Sequence, residues 1–308
     1  MEARKLFSRV GWAFVAFCLV NIAVQLLIGA GIGAWIMLMD GAMPDMDTLL
    51  LSQVCMYVFA FPVFWLMMRR IPSWHKPEGE KLSLGSFLMW AVVCFGFTYI
   101  GNFIGQFLMW VVGMATGNPP ANPVMDMLGE MNPWVMILTT VVIAPVMEEL
   151  MFRKFLIDRL VPYGQKAAVV ISGLAFGLFH GNFFQFFYAC MLGGIFAYLY
   201  SSTGRIRYNI LLHMIINAVG GVVPILLLPG LEDFTAASLF SIFGSLVLVA
   251  IMVATIIGAI VLACVFGWRL PWFGGWAPRP EKGLWRAVLT APGVIGFMAA
   301  CVVMFILS

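Results

Sequence analysis

Apolar residues run in long blocks that are separated by short polar segments. The blocks lie at roughly 10–39, 48–68, 84–114, 134–152, 167–180, 183–200, 208–228, 235–266 and 284–307. A helix needs about 20 apolar residues to cross the hydrocarbon core of a bilayer. The pattern therefore predicts an all-α fold, a polytopic transmembrane helix bundle of about nine spans, in which the fifth block is the shortest.

The composition agrees with a membrane protein and excludes several other classes. Hydrophobic residues make up 63% of the chain and charged residues 10%, whereas soluble chains carry about 25% charged residues. We therefore expect residues 1–308 to form a single integral-membrane domain, with the lipid bilayer as its surroundings. No clustered basic stripe, recognition helix or RNA-binding motif occurs, so we expect no nucleic acid as a partner.

The charged residues are segregated between the predicted loops. With nine spans, all 17 basic residues fall on one side of the membrane. The opposite loops carry only acidic residues, namely Asp40, Asp45, Asp47, Asp126, Glu130, Glu232 and Asp233. The positive-inside rule then predicts that the N-terminus is inside and the C-terminus outside. The six cysteines lie in apolar blocks without a Cys-x-x-Cys pair, which predicts buried thiols and no disulfide framework.

Three charged residues stand at the end of the fourth block. Glu149 and Arg153 are four residues apart with the acid first, which is the favourable order for an ion pair on a helix. Glu148 is turned about 100° away from that pair. A salt bridge that closes the helix at the membrane edge, with Arg153 marking the inside boundary, would account for these residues. A carboxylate kept free for chemistry would account for them as well.

The histidines favour the second interpretation. His75 lies in a predicted inside loop, where we expect it to be solvated. His180 and His213 lie in apolar blocks, and each has a partner four residues away on the same helix face, Phe176 and Asn217 respectively. Because ionisable side chains inside a membrane are usually functional, we predict that they form one site with the glutamates.

These side chains contain what peptide hydrolysis requires. A carboxylate beside a desolvated imidazole can take a proton from water. A second imidazole and a carboxamide can donate hydrogen bonds to the developing oxyanion. Pro145 cannot donate a hydrogen bond to the carbonyl of Val141, so we expect the helix to bend just before Glu148, where water can enter.

The predicted depths of these side chains do not agree with one another. If Arg153 marks the boundary, Glu148 lies about 8 Å below it, at 1.5 Å per residue. By the same rise His180 lies about 21 Å beyond Lys166. The two can meet only if the fifth helix begins well below the inside surface.

The same residues resemble the CAAX-protease and bacteriocin-processing family (CPBP, or Abi) of intramembrane proteases. The family pattern is read here as Glu148-Glu149-x-x-x-Arg153, then Phe176-x-x-x-His180, then His213-x-x-x-Asn217. The resemblance covers residues 135–225, the expected catalytic core. Many relatives have Gly where this chain has Lys154, a difference that concerns the local loop. The resemblance implies an enzyme, an intramembrane endopeptidase that hydrolyses peptide bonds of membrane-associated peptides or proteins near the cytoplasmic face.

The resemblance also implies a role for each residue. Glu148 and His180 would activate water, His213 and Asn217 would stabilise the oxyanion, and Glu149 and Arg153 would support and tune Glu148. If the enzyme were metal-dependent, Glu148, His180 and His213 could ligate zinc. We favour no cofactor and no metal, because a zinc site leaves less to explain Asn217.

Two other functions compete with the protease. One is a non-catalytic membrane scaffold or immunity protein of the same family. The other is a transporter that uses the glutamates and histidines as a proton relay. A scaffold has no need to keep these groups together, and a transporter more often shows an internal repeat, which we do not find. Short loops without appended domains favour a bacterial plasma membrane as the location.

Overall fold

The computed structural model describes residues 2–39, 48–76, 78–79, 81–118, 120, 122, 128, 131–227, 236–278, 280–281 and 283–307. All regular secondary structure in these ranges is helical, which confirms the predicted all-α class. The seven acidic residues assigned to the outside loops lie outside the described ranges, as do Arg279 and Lys282.

The helices follow the apolar blocks of the sequence. In chain order they are α1 (Ala3–Leu38), α2 (Leu50–Met68), α3 (Leu84–Thr116), α4 (Pro133–Tyr163), α5 (Gln165–Phe179), α6 (Phe183–Thr203), α7 (Ile206–Ile225), α8 (Ala236–Phe266), α9 (Leu284–Leu289) and α10 (Pro292–Leu307). The ninth block is divided into α9 and α10, because Pro292 has no N–H with which to continue a helix.

Within the described ranges, seven helices are long and apolar enough to cross a membrane: α1 to α4 and α6 to α8. Large apolar side chains such as Leu27, Phe107 and Leu246 are more than half exposed, as expected for groups that face lipid. Helix α5 has 15 residues and α10 has 16, so each is roughly 22–24 Å long. The chain is an integral membrane protein, while the count of nine spans and the orientation stay predictions.

The chain divides into two compact units, residues 1–73 with 278–303 and residues 74–277 with 304–308. In the first unit, α1 meets α10 where Gly11 lies against the backbone of Gly293. The ring of Phe14 fills the space beside them, 5.0 Å from Phe64 and 5.2 Å from Phe297. The prediction of one domain over residues 1–308 is not tested by this division.

In the second unit, glycines let α6 pack closely against two neighbours. Gly173 and Gly177 of α5 lie against the backbone of Cys190 on α6. On its other side, Gly101 of α3 lies against the backbone of Tyr188. Small residues four apart allow membrane helices to approach at backbone distance. These contacts fix the position of α6, which neighbours the candidate site.

The segment before α3 is anchored: the side chain of His75 is exposed, as expected for a solvated residue, but it also has polar partners. Nδ1 of His75 lies 3.0 Å from the Tyr200 hydroxyl. That hydroxyl donates a 2.8 Å hydrogen bond to Asp158, and Lys154 forms a 3.0 Å ion pair with the same carboxylate. The physical reason is the length of α4, which continues past residue 152 and presents Asp158 to this segment.

We predict that Gly101→Ala destabilises the protein. The added methyl group would overlap the backbone of Tyr188, and overpacking of this kind costs about 1–3 kcal/mol. The measurement is the free energy of unfolding in detergent.

Gly31→Ala is the matched control, because a methyl group at that position of α1 meets no atom within 4 Å. The control should be neutral or slightly stabilised, since Ala has a higher helix propensity than Gly. Equal effects of the two substitutions would contradict the close packing of α3 and α6.

Candidate active site

The length of α4 places Glu148 and His180 at matching depths. The sequence predicted a span that ends at residue 152, whereas the helix α4 continues to Tyr163, and the side chain of Arg153 is completely buried within the protein. Gly164, with φ of 115°, then joins α4 to α5. Glu148 precedes Tyr163 by 15 residues and His180 follows Gln165 by 15 residues. Both therefore lie roughly 22 Å from this turn, and the depth disagreement disappears.

The backbone of α4 is irregular just before the glutamates. Residues Ile137–Ile143 form π-helical turns, and the Ala144 N–H donates to the carbonyl of Thr139, five residues back. The next bond in this pattern would run from residue 145 to the carbonyl of Thr140. Pro145 has no N–H to make it. The π-helical run therefore ends here and the Thr140 carbonyl is left without a backbone donor.

Asn217 of α7 supplies that missing donor. Its Nδ2 donates a 2.9 Å hydrogen bond to the Thr140 carbonyl. The expected role of Asn217 was to stabilise the oxyanion, and Thr140 was not among the predicted site residues. The signal for Thr140 was the proline five residues after it. This signal could not be used, because its consequence depends on a π-helical register that the sequence pattern does not show. One N–H of the Asn217 amide is therefore used to join α7 to α4.

Glu149 is the best-partnered acid of the site. Its side chain and that of Arg153 are fully buried and form the predicted ion pair, with Nε 2.9 Å from Oε2 and Nη2 3.0 Å from Oε1. His213 of α7 adds a third contact through Nδ1, 3.1 Å from Oε1. Since a carboxylate only accepts hydrogen bonds, this contact places a proton on Nδ1 of His213.

Glu148 stands on the other side of the same imidazole. Its Oε2 lies 3.7 Å from Nε2 of His213, so His213 lies between the two carboxylates. The Glu148 side chain is 16% exposed, whereas that of Glu149 is not exposed at all. Glu148 is thus the more exposed carboxylate of the pair, as expected from the helical period.

His180 ends α5 and has a defined tautomer. Its Nδ1 lies 2.7 Å from the carbonyl of Phe176, which can only accept, so Nδ1 carries the proton and Nε2 keeps a lone pair in the neutral ring. The ring of Phe176 lies beside both this imidazole and that of His213, so the structure brings the two histidines together.

The ring of Phe176 separates and positions the charged groups. It lies edge-on to His180 at 4.8 Å and to His213 at 5.8 Å, measured between ring centroids. The guanidinium of Arg153 lies over it at 4.6 Å. Such a cation–π contact stabilises a buried cation. The sequence showed that Phe176 shares a helix face with His180, but not that it also contacts Arg153.

A series of hydrogen-bonded polar side chains lies beside His180 and was not predicted from the sequence. Asn182 caps α6 by accepting from the N–H of Gln185, and its Nδ2 donates to the His180 carbonyl at 3.0 Å. Nε2 of Gln185 donates to the Tyr188 hydroxyl at 2.7 Å. The sequence signal was the capping box formed by Asn182 and Gln185, three residues apart before an apolar run.

The possible zinc ligands do not form a metal-binding group in this arrangement. Among the described residues, no three His, Cys, Asp or Glu side chains are placed to hold a metal ion. In each imidazole Nδ1 is hydrogen-bonded, to Glu149 for His213 and to the Phe176 carbonyl for His180. This leaves Nε2 as the ring nitrogen that could ligate a metal.

Comparison with known proteins agrees with this constellation. Residues 130–219 match the family model described as "Type II CAAX prenyl endopeptidase Rce1-like". This segment includes all six candidate residues. In these residues the chain is similar to the CAAX-protease and bacteriocin-processing family.

A curated protein to which the chain is similar is "Putative membrane peptidase YdiL" from Bacillus subtilis (strain 168). The two are 26% identical over 183 residues, which cover 58% of this chain and 74% of the relative. No solved structure matches the chain. The similarity indicates relatedness to membrane proteases.

We predict that Arg153→Met destabilises the protein by about 3–5 kcal/mol, because it leaves Glu149 as an uncompensated buried charge. Unfolding in detergent measures this. Lys154→Met is the matched control: its ion pair with Asp158 is partly exposed, so its loss should cost about 0–1 kcal/mol. A neutral Arg153→Met variant would contradict the buried ion pair.

We also predict that Pro145 and Asn217 are energetically coupled. Asn217→Leu leaves the Thr140 carbonyl unsatisfied, which should cost about 1–3 kcal/mol. In the Pro145→Ala background the new N–H can reach that carbonyl, so the same substitution should cost clearly less. A double-mutant cycle of unfolding free energies measures the difference, and additive effects would show that Asn217 does not replace a backbone donor.

Proposed function

We propose that the protein is an intramembrane endopeptidase that hydrolyses peptide bonds of membrane-associated peptides or proteins. The observation that carries this proposal is the order of groups in the matched segment. Arg153 forms an ion pair with Glu149, and Glu149 contacts Nδ1 of His213. Nε2 of His213 faces Glu148, which is the partly exposed carboxylate of the pair. His180 adds an imidazole with an available nitrogen beside them.

Glu148 and His180 would activate the attacking water. The water donates one hydrogen bond to Glu148 and one to Nε2 of His180 and attacks the carbonyl carbon of the scissile bond. Its proton passes to Glu148, which can then deliver it to the leaving amine as the C–N bond breaks. The polar groups already buried here replace bulk water as the surroundings of the charged intermediate.

His213 and Asn217 would stabilise the oxyanion. With Nδ1–H of His213 given to Glu149, donation from Nε2 needs a second proton, so the donor form is the imidazolium. The carboxylates on either side, Glu149 and Glu148, supply the opposite charge for it. Asn217 keeps one amide N–H besides the one given to Thr140.

Cleavage near the cytoplasmic face and a bacterial plasma membrane complete the proposal. Basic residues cluster around the turn after α4 and the turn after α6, which the positive-inside rule places inside. The curated relative is bacterial. A non-catalytic scaffold is not favoured, because it has no use for a water-accessible carboxylate held beside two imidazoles with defined tautomers.

The test is cleavage of a co-expressed library of membrane-tethered peptides. Glu148→Gln keeps the size of the side chain but cannot take a proton, so cleavage should fall by about 10²–10⁴-fold. His213→Ala should also lose cleavage. Glu78→Gln serves as the control, because Glu78 is an exposed acid paired with Arg205.

Product patterns that do not change in Glu148→Gln and His213→Ala would refute the protease. Metal content and chelator sensitivity of the purified wild type address the zinc alternative. Cleavage that persists after metal removal supports water activation by the side chains alone, and activity that depends on a stoichiometric metal would overturn it.

A further inference from the structure

The hydroxyl of Tyr188 is a polar group beside the site that the proposed mechanism does not use. Its ring lies edge-on to that of His180, with 6.4 Å between the centroids. Tyr188 is not part of the three motifs that define the candidate site in the sequence.

Neighbouring hydrogen bonds determine how the hydroxyl is oriented. Nδ2 of Asn182 donates to Oε1 of Gln185 at 2.9 Å, so the other end of that amide, Nε2, faces Tyr188. This Nε2 donates to the Tyr188 oxygen at 2.7 Å. Because a side-chain NH₂ can only donate, the hydroxyl acts as the acceptor and its own hydrogen is directed elsewhere. In the described part of the chain, that hydrogen has no acceptor.

The position of Tyr188 is fixed as well as its hydrogen-bond role. The Tyr188 backbone is in contact with Gly101 of α3. The Asn182 cap joins the start of α6 to the His180 carbonyl. The same short segment therefore holds both His180 and the hydroxyl, so that they face the site together.

We propose that Tyr188 donates a hydrogen bond to the scissile carbonyl oxygen as it becomes the oxyanion. The proposal rests on the endopeptidase function proposed above. A donor besides His213 and Asn217 is useful because one N–H of Asn217 is already given to the Thr140 carbonyl. A preorganised donor in a water-poor site needs no reorientation during the reaction, and one such donor is typically worth about 10²–10³ in rate.

The test uses full-length protein in bilayers and the library peptide that the wild type cleaves best. Tyr188→Phe keeps the ring beside His180 and removes only the hydroxyl. We expect kcat to fall about 10²-fold while KM and the unfolding midpoint stay near the wild-type values. Gln185→Leu, which removes the group that orients the hydroxyl, should lower kcat by a smaller factor.

Tyr198→Phe is the matched control on the same helix. It also loses one hydroxyl, which donates to the Pro271 carbonyl away from the site, and its kcat should stay at the wild-type value. A fall in kcat for both variants would assign the effect to packing and overturn the proposal. Wild-type kcat in Tyr188→Phe, or a change confined to KM, would overturn it as well.

Glu148→Gln, measured beside these variants, distinguishes a failure of the endopeptidase function from a failure of the role proposed for Tyr188. If wild type and Glu148→Gln cleave equally, the endopeptidase function fails and the proposal for Tyr188 falls with it. If Glu148→Gln is inactive while Tyr188→Phe cleaves as the wild type does, the protease stands and the role of Tyr188 alone is refuted.

Discussion

The buried ion pair between Glu149 and Arg153 is the interaction on which the site depends. An unpaired charge inside a bilayer protein costs several kcal/mol, so neither residue can be placed there alone. Arg153 contacts both carboxylate oxygens of Glu149 and lies over the rings of Phe176 and Phe196. With its charge balanced in this way, Glu149 can hold one nitrogen of His213 and turn the other toward Glu148.

In this arrangement the two adjacent carboxylates, Glu148 and Glu149, have different surroundings and therefore different expected roles. Glu149 is buried. Its Oε1 accepts hydrogen bonds from Arg153 and His213, and its Oε2 lies in the ion pair with Arg153, so it sets the orientation of His213. Glu148 has one distant contact to His213 and some exposure, so it can exchange a proton with water. The difference follows from the helical period, which turns consecutive residues about 100° apart.

The irregular backbone of α4 also helps to position the helices around the candidate site. Backbone groups at membrane depth need partners within the protein. Pro145 leaves the Thr140 carbonyl without one, and Asn217 of α7 provides it. The contact joins α4 to α7 one helical turn from the contact between His213 and the glutamates. A defect in one helix thus helps to fix the register of its neighbour.

The sequence by itself determined the helical class and the membrane setting, and it predicted the residues of the candidate site. Long apolar blocks leave few alternatives to membrane helices, and the spacing of Glu149 and Arg153 places them on one helix face. These conclusions needed only local periodicity. Where α4 ends, which carbonyl holds Asn217 and what His75 contacts were decided by the tertiary structure. Each of these depends on residues far apart in the chain, such as Thr140 and Asn217, whose meeting is set by how helices pack.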